Sequence, residues 1–266
     1  MSIVAGIVLP EGIALACDGR RSIISPGEGN NTEPGVEVLD DNCPKIHLFP
    51  GRRVLTYTGL AETRIDRDRK WVLERDTLPW VEGLLDEGAS IREAAALLNE
   101  NLADLLCGKR EKVYCFALGG YDEGEDLPCL VRYADGKQNL ELGIREDDMF
   151  QKGLFCMGFT DILNKVTAGE QLNFDNLNLE SAINLAEFFV VLEIKCRTAF
   201  KGHRDCVGGR RFAAAVTEKQ SGFVRGISTG GYRFVDAPAA LTFADIAKEA
   251  QELKMKVDEA LKTVKK

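Results

Sequence analysis

The sequence predicts an α+β fold in which two antiparallel sheets lie face to face and a helical layer covers the outer side of each. Three observations carry this. Strand-like runs come in hairpin pairs, such as 2–9 with 13–18 and 45–49 with 54–59. Helix-like runs come in pairs between them. Hydrophobic residues make up 45% of the 266, enough for a sizeable core and too many for general disorder. The order is strands, two helices, strands, two helices, strands and a last helix. Such an order buries its apolar faces in those layers.

The opening hairpin reads as strands at about residues 2–9 and 13–18 around a Glu11-Gly12 turn. The ends of a hairpin furthest from its turn lie side by side, so Ser2 falls beside Asp18. Residues 23–42, rich in Gly, Pro, Asn and acids, read as a long excursion with little structure of its own. Such a segment is a functional lid, a pocket wall or simply disordered. Lys45 to Phe49, a Pro50-Gly51 turn and Val54 to Gly59 form a second hairpin. His47 shares the Lys45 face by strand alternation. Residues 60–87 are helical in character, heavily charged from Glu62 to Arg75 and interrupted at Pro79. Ser90-Ile91-Arg92-Glu93 is a capping box that opens a helix of about 90–107.

Strands return at 112–120, 128–134 and 139–144, followed by a short buried strand at 154–158. A helix starts near Thr160 and ends before Gly169. A strongly apolar helix covers 178–200, and the width of its apolar surface places it between layers. Strands follow at 210–217 and 222–228. Thr242-x-x-Asp245 caps a final helix over 243–264. Its stripe of Ile246, Ala250, Leu253, Val257 and Leu261 needs a partner in its own domain or a neighbouring subunit. The chain thus divides into a domain of 1–240 with an inserted loop at 23–42, and a helical extension at 241–266. No internal repeat is visible.

Composition excludes several functions. The net charge is −8 and Lys/Arg runs are short, which argues against a nucleic-acid footprint. No apolar run reaches the roughly 18–20 residues that span a bilayer. The amino terminus lacks the basic leader of a signal peptide, so a cytoplasmic location is expected. The eight Cys form no C-x-x-C pair and read as thiols in a reducing compartment. Two His are too few for a His-built metal site and give no support to a Ser-His-Asp triad, so no metal or cofactor is expected.

Five stretches then stand out together. They are Ser2-Ile3-Val4-Ala5-Gly6-Ile7-Val8, Leu15-Ala16-Cys17-Asp18-Gly19-Arg20, the strand start Pro44-Lys45-Ile46, the strand end Tyr57-Thr58-Gly59, and Arg204-Asp205-Cys206-Val207-Gly208-Gly209 before a strand. In this order they resemble the proteasome β-type and bacterial proteasome-related branch of the N-terminal nucleophile (Ntn) hydrolases, over about residues 2–230. The resemblance implies a four-layer αββα sandwich and hydrolysis of a peptide or other amide bond. The activity would be that of a threonine-type peptidase or amidohydrolase whose terminal residue is Ser.

Carried over, Ser2 is the nucleophile once an aminopeptidase removes Met1. Its α-amine shuttles the proton, and a reference pKa of about 7.7–8.0 suits that task better than a Lys near 10.4. A terminal nucleophile therefore works without His. Lys45 lowers the pKa of amine and hydroxyl through its charge. Asp18 pairs with Lys45 and holds it charged. The Gly59 N–H faces the oxyanion, where one preorganised donor is worth roughly 3–4 kcal/mol. Asp205 orients the amine from the opposite side. By position, Arg21, Cys43, Tyr57 and Ala61 line the specificity pocket. A ring or other homo-oligomer is implied, and whether an ATPase feeds it is left open.

The chain departs from that pattern in four places. Ser replaces Thr, whose methyl group fixes the rotamer. Gly208 stands where the family has a Ser. The family's other Ser has only Thr160 as a candidate counterpart. The segment 23–42 is longer than the usual connection. Two other functions therefore stay open. One is a catalytically silent structural subunit. The other is a small-molecule amidase or transpeptidase on the same fold.

Overall fold

The computed structural model describes residues 2–25, 35–59, 62–64, 70–105, 114–143, 145–146, 149–158, 160, 163–164, 173–199, 207–226 and 232–235. They belong to one compact unit, Met1–Val235. The expected helix 243–264, and with it the extension 241–266, lies outside the described residues.

The opening hairpin forms: β1, Ile3–Leu9, pairs antiparallel with β2, Gly12–Asp18, and both strands are buried along their whole length. The segment 23–42 requires a correction. β3, Arg21–Ser25, and β4, Gly35–Asp40, pair as an antiparallel hairpin. The β-branched Ile23, Ile24, Val36 and Val38 favour strands, while the Gly- and Asn-rich composition belongs to residues 26–34, outside the described residues. β5, Ile46–Phe49, and β6, Arg53–Gly59, make the next hairpin, with Gly51 and Arg52 both at positive φ in its turn.

Residues 60–87 are also corrected. Glu62–Arg64 (β7) pairs with Lys70–Val72 (β8), one π-helical turn spans Leu73–Thr77, and α1 covers only Leu78–Asp86. Pro79 does not interrupt a helix. It sits in the first turn, where its missing N–H has no intrahelical partner to lose. α2, Ile91–Leu105, opens on the expected capping box: Ser90 N–H donates to Glu93 Oε2 at 3.0 Å and Glu93 N–H to Ser90 Oγ at 3.2 Å.

Three strands follow as a meander, β9 (Tyr114–Gly120), β10 (Cys129–Ala134) and β11 (Lys137–Leu142). The short pair β12 (Arg145–Glu146) and β13 (Met149–Phe150) has no counterpart in the sequence reading. β14 is Gly153–Gly158. Of the helix expected after Thr160, Leu163 and Asn164 are described, and both are helical. α3 is Leu179–Ala199, and the chain continues through β15 (Arg211–Val216), β16 (Ser221–Gly226) and an unforeseen β17 (Tyr232–Val235).

One sheet runs β14-β1-β2-β15-β16-β17 and the other β11-β10-β9-β6-β5, all antiparallel. Val4, Val8, Ile13 and Leu15 of the first pack with Ile46, Val54, Ala117 and Leu130 of the second, so the sheets face each other. Leu55, Tyr57, Phe116 and Val131 point the other way, under Val81, Leu98 and Leu102 of α1 and α2. Ile3, Ala5 and Ala16 pack under Ala186, Phe189 and Val190 of α3. Each fully buried aliphatic side chain contributes about 1.5–3 kcal/mol. The expectation that α3 lies between layers is corrected, since its outward Phe188 is 54% exposed.

Candidate functional site

β1 is an interior strand, flanked by β14 and β2, and one residue stands immediately before it. That residue, Ser2, is 4% exposed. Beside it the buried Asp18 carboxylate accepts three backbone N–H groups: Ile3 at 2.8 Å on Oδ1, and Gly208 at 3.1 Å and Arg20 at 3.3 Å on Oδ2. Burial pushes the Asp18 carboxyl up to about 6. The Ile3 and Gly208 amides, then the charge of Lys45, pull against that rise.

The expected Asp18–Lys45 pair does not form. Among the described residues no ion pair joins them, and Lys45 Nζ donates instead to the Cys43 carbonyl at 3.0 Å. The reason is that Asp18's oxygens are occupied by the strand that follows Ser2 and by the loop before β15. Lys45 acts on Asp18 through space only. Its own side chain is buried, and its backbone N–H rests on Cys17 Sγ at 3.3 Å. Burial holds the Cys17 thiol far above its ordinary value, which makes it a core thiol rather than a nucleophile.

The second sheet reaches the same place. β6 ends at Thr58, buried, and Gly59, exposed with φ 97°. Gly158, paired with Ile3, has φ 86°, and a Cβ there would lie 1.9 Å from the Ser2 carbonyl oxygen and 3.2 Å from Thr58 Cγ2. Only glycine allows this close approach. The sequence reading gave neither Gly158 nor Thr58 a role, although Thr58 stands in the Tyr57-Thr58-Gly59 strand end. Thr160 serves the following helical turn, its Oγ1 accepting from Asn164 Nδ2 at 3.3 Å. Asp205, Ala61 and Met1 lie outside the described residues.

Three of the expected pocket residues come together around Tyr57. Its buried ring stacks on His47 with centroids 5.4 Å apart, and its hydroxyl donates to Glu74 at 3.4 Å. Burial raises the Tyr57 pKa, the charges of Cys43 and Glu74 add to this, and Arg21 opposes it. His47 Nε2 is buried without a hydrogen-bond partner. Burial, aided by the charge of Lys45, lowers the His47 pKa to about 4, so the ring is neutral at pH 7. Strand alternation was the signal that put His47 on this face. Glu74 carried none, because it sits in a charged stretch that reads as an ordinary helix.

Among the described residues no cluster of His, Cys, Asp or Glu is arranged to hold a metal ion, and no helix is long and apolar enough to cross a membrane.

No protein-family model and no curated protein matches the chain. Solved structures do. Anbu (ancestral β-subunit) from Yersinia bercovieri is 17% identical, with 97% of this chain and 96% of that chain covered and a TM-score of 0.53. The helical assembly of the Anbu complex from Pseudomonas aeruginosa is 16% identical over 97% of this chain and 96% of that chain, with a TM-score of 0.56. At this identity the likeness is one of fold: an α+β architecture with antiparallel sheets, shared over nearly the whole length.

Proposed function

We propose that the chain is a proteasome-like N-terminal nucleophile hydrolase that cleaves a peptide or other amide bond with Ser2. The observation that carries this reading is the hold of Asp18 on Ile3 N–H at 2.8 Å, which sets Ser2 at a buried meeting point of both sheets, with the buried Lys45 close enough to act on Asp18. The fold shared with an ancestral β-subunit supports the proteasome-related branch. The two facing sheets, each with helices on its outer side, support the four-layer αββα sandwich.

With Met1 removed, the Ser2 hydroxyl attacks the carbonyl carbon and its proton passes to the α-amine. The amine then delivers that proton to the leaving nitrogen, and water releases the acyl group from Ser2 by the reverse path. The Lys45 ammonium favours the neutral amine and the developing alkoxide. The Gly59 N–H receives the oxyanion, and Asp205 orients the amine. Arg21, Cys43, Tyr57 and Ala61 shape the pocket together with His47. Copies of the chain assemble, as the helical assembly of the Anbu complex does. The six described cysteines are all free thiols, which suits a cytoplasmic location.

Intact-mass analysis tests the reading. The native protein should lack Met1, and a peptidyl β-lactone should add one acyl group, located on Ser2. Retention of Met1, or full amidase activity in Ser2→Ala, would overturn it. A silent structural subunit is the second reading, favoured by the absence of a hydroxyl at Gly208. It requires a stable oligomer that keeps Met1 and never acylates.

A further inference from the structure

Arg20 and Asp41 bracket the β3–β4 hairpin, one residue before β3 and one after β4. They close it with a two-pronged ion pair, Nε to Oδ1 at 2.7 Å and the second guanidinium nitrogen to Oδ2 at 3.1 Å. Forked guanidinium–carboxylate pairs are directional as well as strong. The Arg20 side chain is 14% exposed, so the pair is sheltered rather than waving in solvent.

The guanidinium lies over Gly208. A Cβ built on Gly208 would sit 3.0 Å from Arg20 Cζ and 3.2 Å from Nε. Gly208 is in turn bonded on both sides to the end of β2, giving its N–H to Asp18 at 3.1 Å and accepting from Gly19 N–H at 3.2 Å. Asp41 fastens the next residues as well. Its carbonyl accepts Arg210 N–H at 2.8 Å, and Gly209, at φ 73°, passes so close that a Cβ would be 2.7 Å from that carbonyl. Cys43 N–H donates to Gly19 at 2.9 Å, which ties the return of the hairpin to the same strand end. Residues 18–20, 41–43 and 207–210 therefore form one braid whose centre is the Asp18 carboxylate.

We propose that Arg20 and Asp41 are positioning residues that clamp the Gly208 amide onto Asp18, and that the β3–β4 hairpin serves to deliver Asp41 to that clamp. The inference rests on the Ser2 reading for its catalytic consequence. It also accounts for the missing hydroxyl: the space a side chain on residue 208 would use is filled by a guanidinium that is fixed from its far side.

The test uses Asp41→Asn, Arg20→Ala, the double variant and Arg20→Lys in the full chain. Two quantities are measured: the titration of the Asp18 carboxyl by carbon NMR, and the rate of Ser2 acylation by a peptidyl β-lactone. Loss of the clamp loosens the Gly208 N–H, so the Asp18 midpoint rises above that of the wild type in each single variant. Acylation slows by roughly ten- to hundred-fold, the scale of a misplaced catalytic group. The double variant is no worse than either single, because the two residues act as one unit. Arg20→Lys, which keeps the charge and loses the fork, falls between. Asp41 is 46% exposed, so Asp41→Asn leaves the fold intact and decides the matter if Arg20→Ala unfolds. An Asp18 titration in Asp41→Asn that overlays the wild type overturns the clamp. The titration needs no turnover, so it separates the two ideas. A responsive Asp18 in a chain that never acylates keeps the clamp and removes the hydrolase, and an unresponsive Asp18 in an acylating chain does the reverse.

Discussion

Gly158 and Ser2 meet backbone to backbone, with a distance of 1.9 Å from an ideal Gly158 Cβ to the Ser2 carbonyl oxygen. The obstacle is main chain, which cannot swing aside as a flexible side chain would. Gly158→Ala must therefore push β1 away from β14 at the residue that starts the site. Positive φ alone costs a non-Gly residue about 1–3 kcal/mol, and the clash adds to it. We expect a loss of about 3 kcal/mol or more in denaturant unfolding. A Gly158→Ala protein as stable as wild type would show that β1 and β14 have room to part at this point.

The pH dependence of activity should carry the mark of Asp18. Its ionised form accepts the Ile3 and Gly208 amides, and a protonated oxygen loses acceptor capacity. With a carboxyl pushed up to about 6, acylation of Ser2 should decline as pH falls below that value. Asp18→Asn should remove this acidic limb and slow the reaction at pH 7.5, because an amide nitrogen cannot accept from Gly208. Persistence of the limb in Asp18→Asn would assign it to another group.

Stability against pH should show two opposed terms. Asp18 has a folded pKa of about 6, above its ordinary 3.8, so the stability it contributes is fully present below pH 4 and is lost as pH rises through 6. His47 has a folded pKa of about 4, below its ordinary 6.5, so its contribution is present above pH 6.5 and is lost as pH falls through 4. Each shift of about two units corresponds to roughly 3 kcal/mol. His47→Phe should remove the second term alone. The stability difference between His47→Phe and wild type should then grow in favour of the variant as pH falls from 6.5 to 4, by up to that amount. Parallel curves in urea titrations across this range would mean that the imidazole is hydrated in the native state.

Placing a hydroxyl at position 208 should hurt. Gly208→Ser places Cβ 3.0 Å from the Arg20 guanidinium and must displace it from Asp41 or lift residue 208 from Asp18. Acylation of Ser2 should slow. A faster Gly208→Ser protein would mean that the hydroxyl, and not the covering guanidinium, is what the site lacks.

Local geometry was legible in the sequence and distant geometry was not. The Ser2–Asp18 neighbourhood follows from one hairpin, whose ends must meet whatever surrounds them. The true partners of Asp18 include Gly208, 190 residues away, and no spacing rule announces that. Lys45 was the natural guess only because the competing amides were invisible. The stretch from Glu62 to Val72 looked helical from its charges. Trp71 settles it otherwise: the ring is 5% exposed in the core beneath α2, with Nε1 donating to Thr77 Oγ1 at 3.1 Å. One tertiary anchor outweighs the weak helix propensity of a charged stretch. In 23–42 the turn residues drowned out the strands on either side, although Ile23-Ile24 and Val36-x-Val38 were in plain view.

The interior position of β1 also sets a schedule. β1 leaves the ribosome with one flank within reach, in β2, and must wait for β14 and the loop at Gly208 to complete the rest. At about 5–20 residues per second, that wait lasts on the order of ten to forty seconds. A trimming peptidase needs an extended, open leading end, and the finished fold leaves Ser2 only 4% exposed. Whatever precedes Ser2 should thus be easier to trim while the nascent chain is still short of its distant strands than after the fold closes.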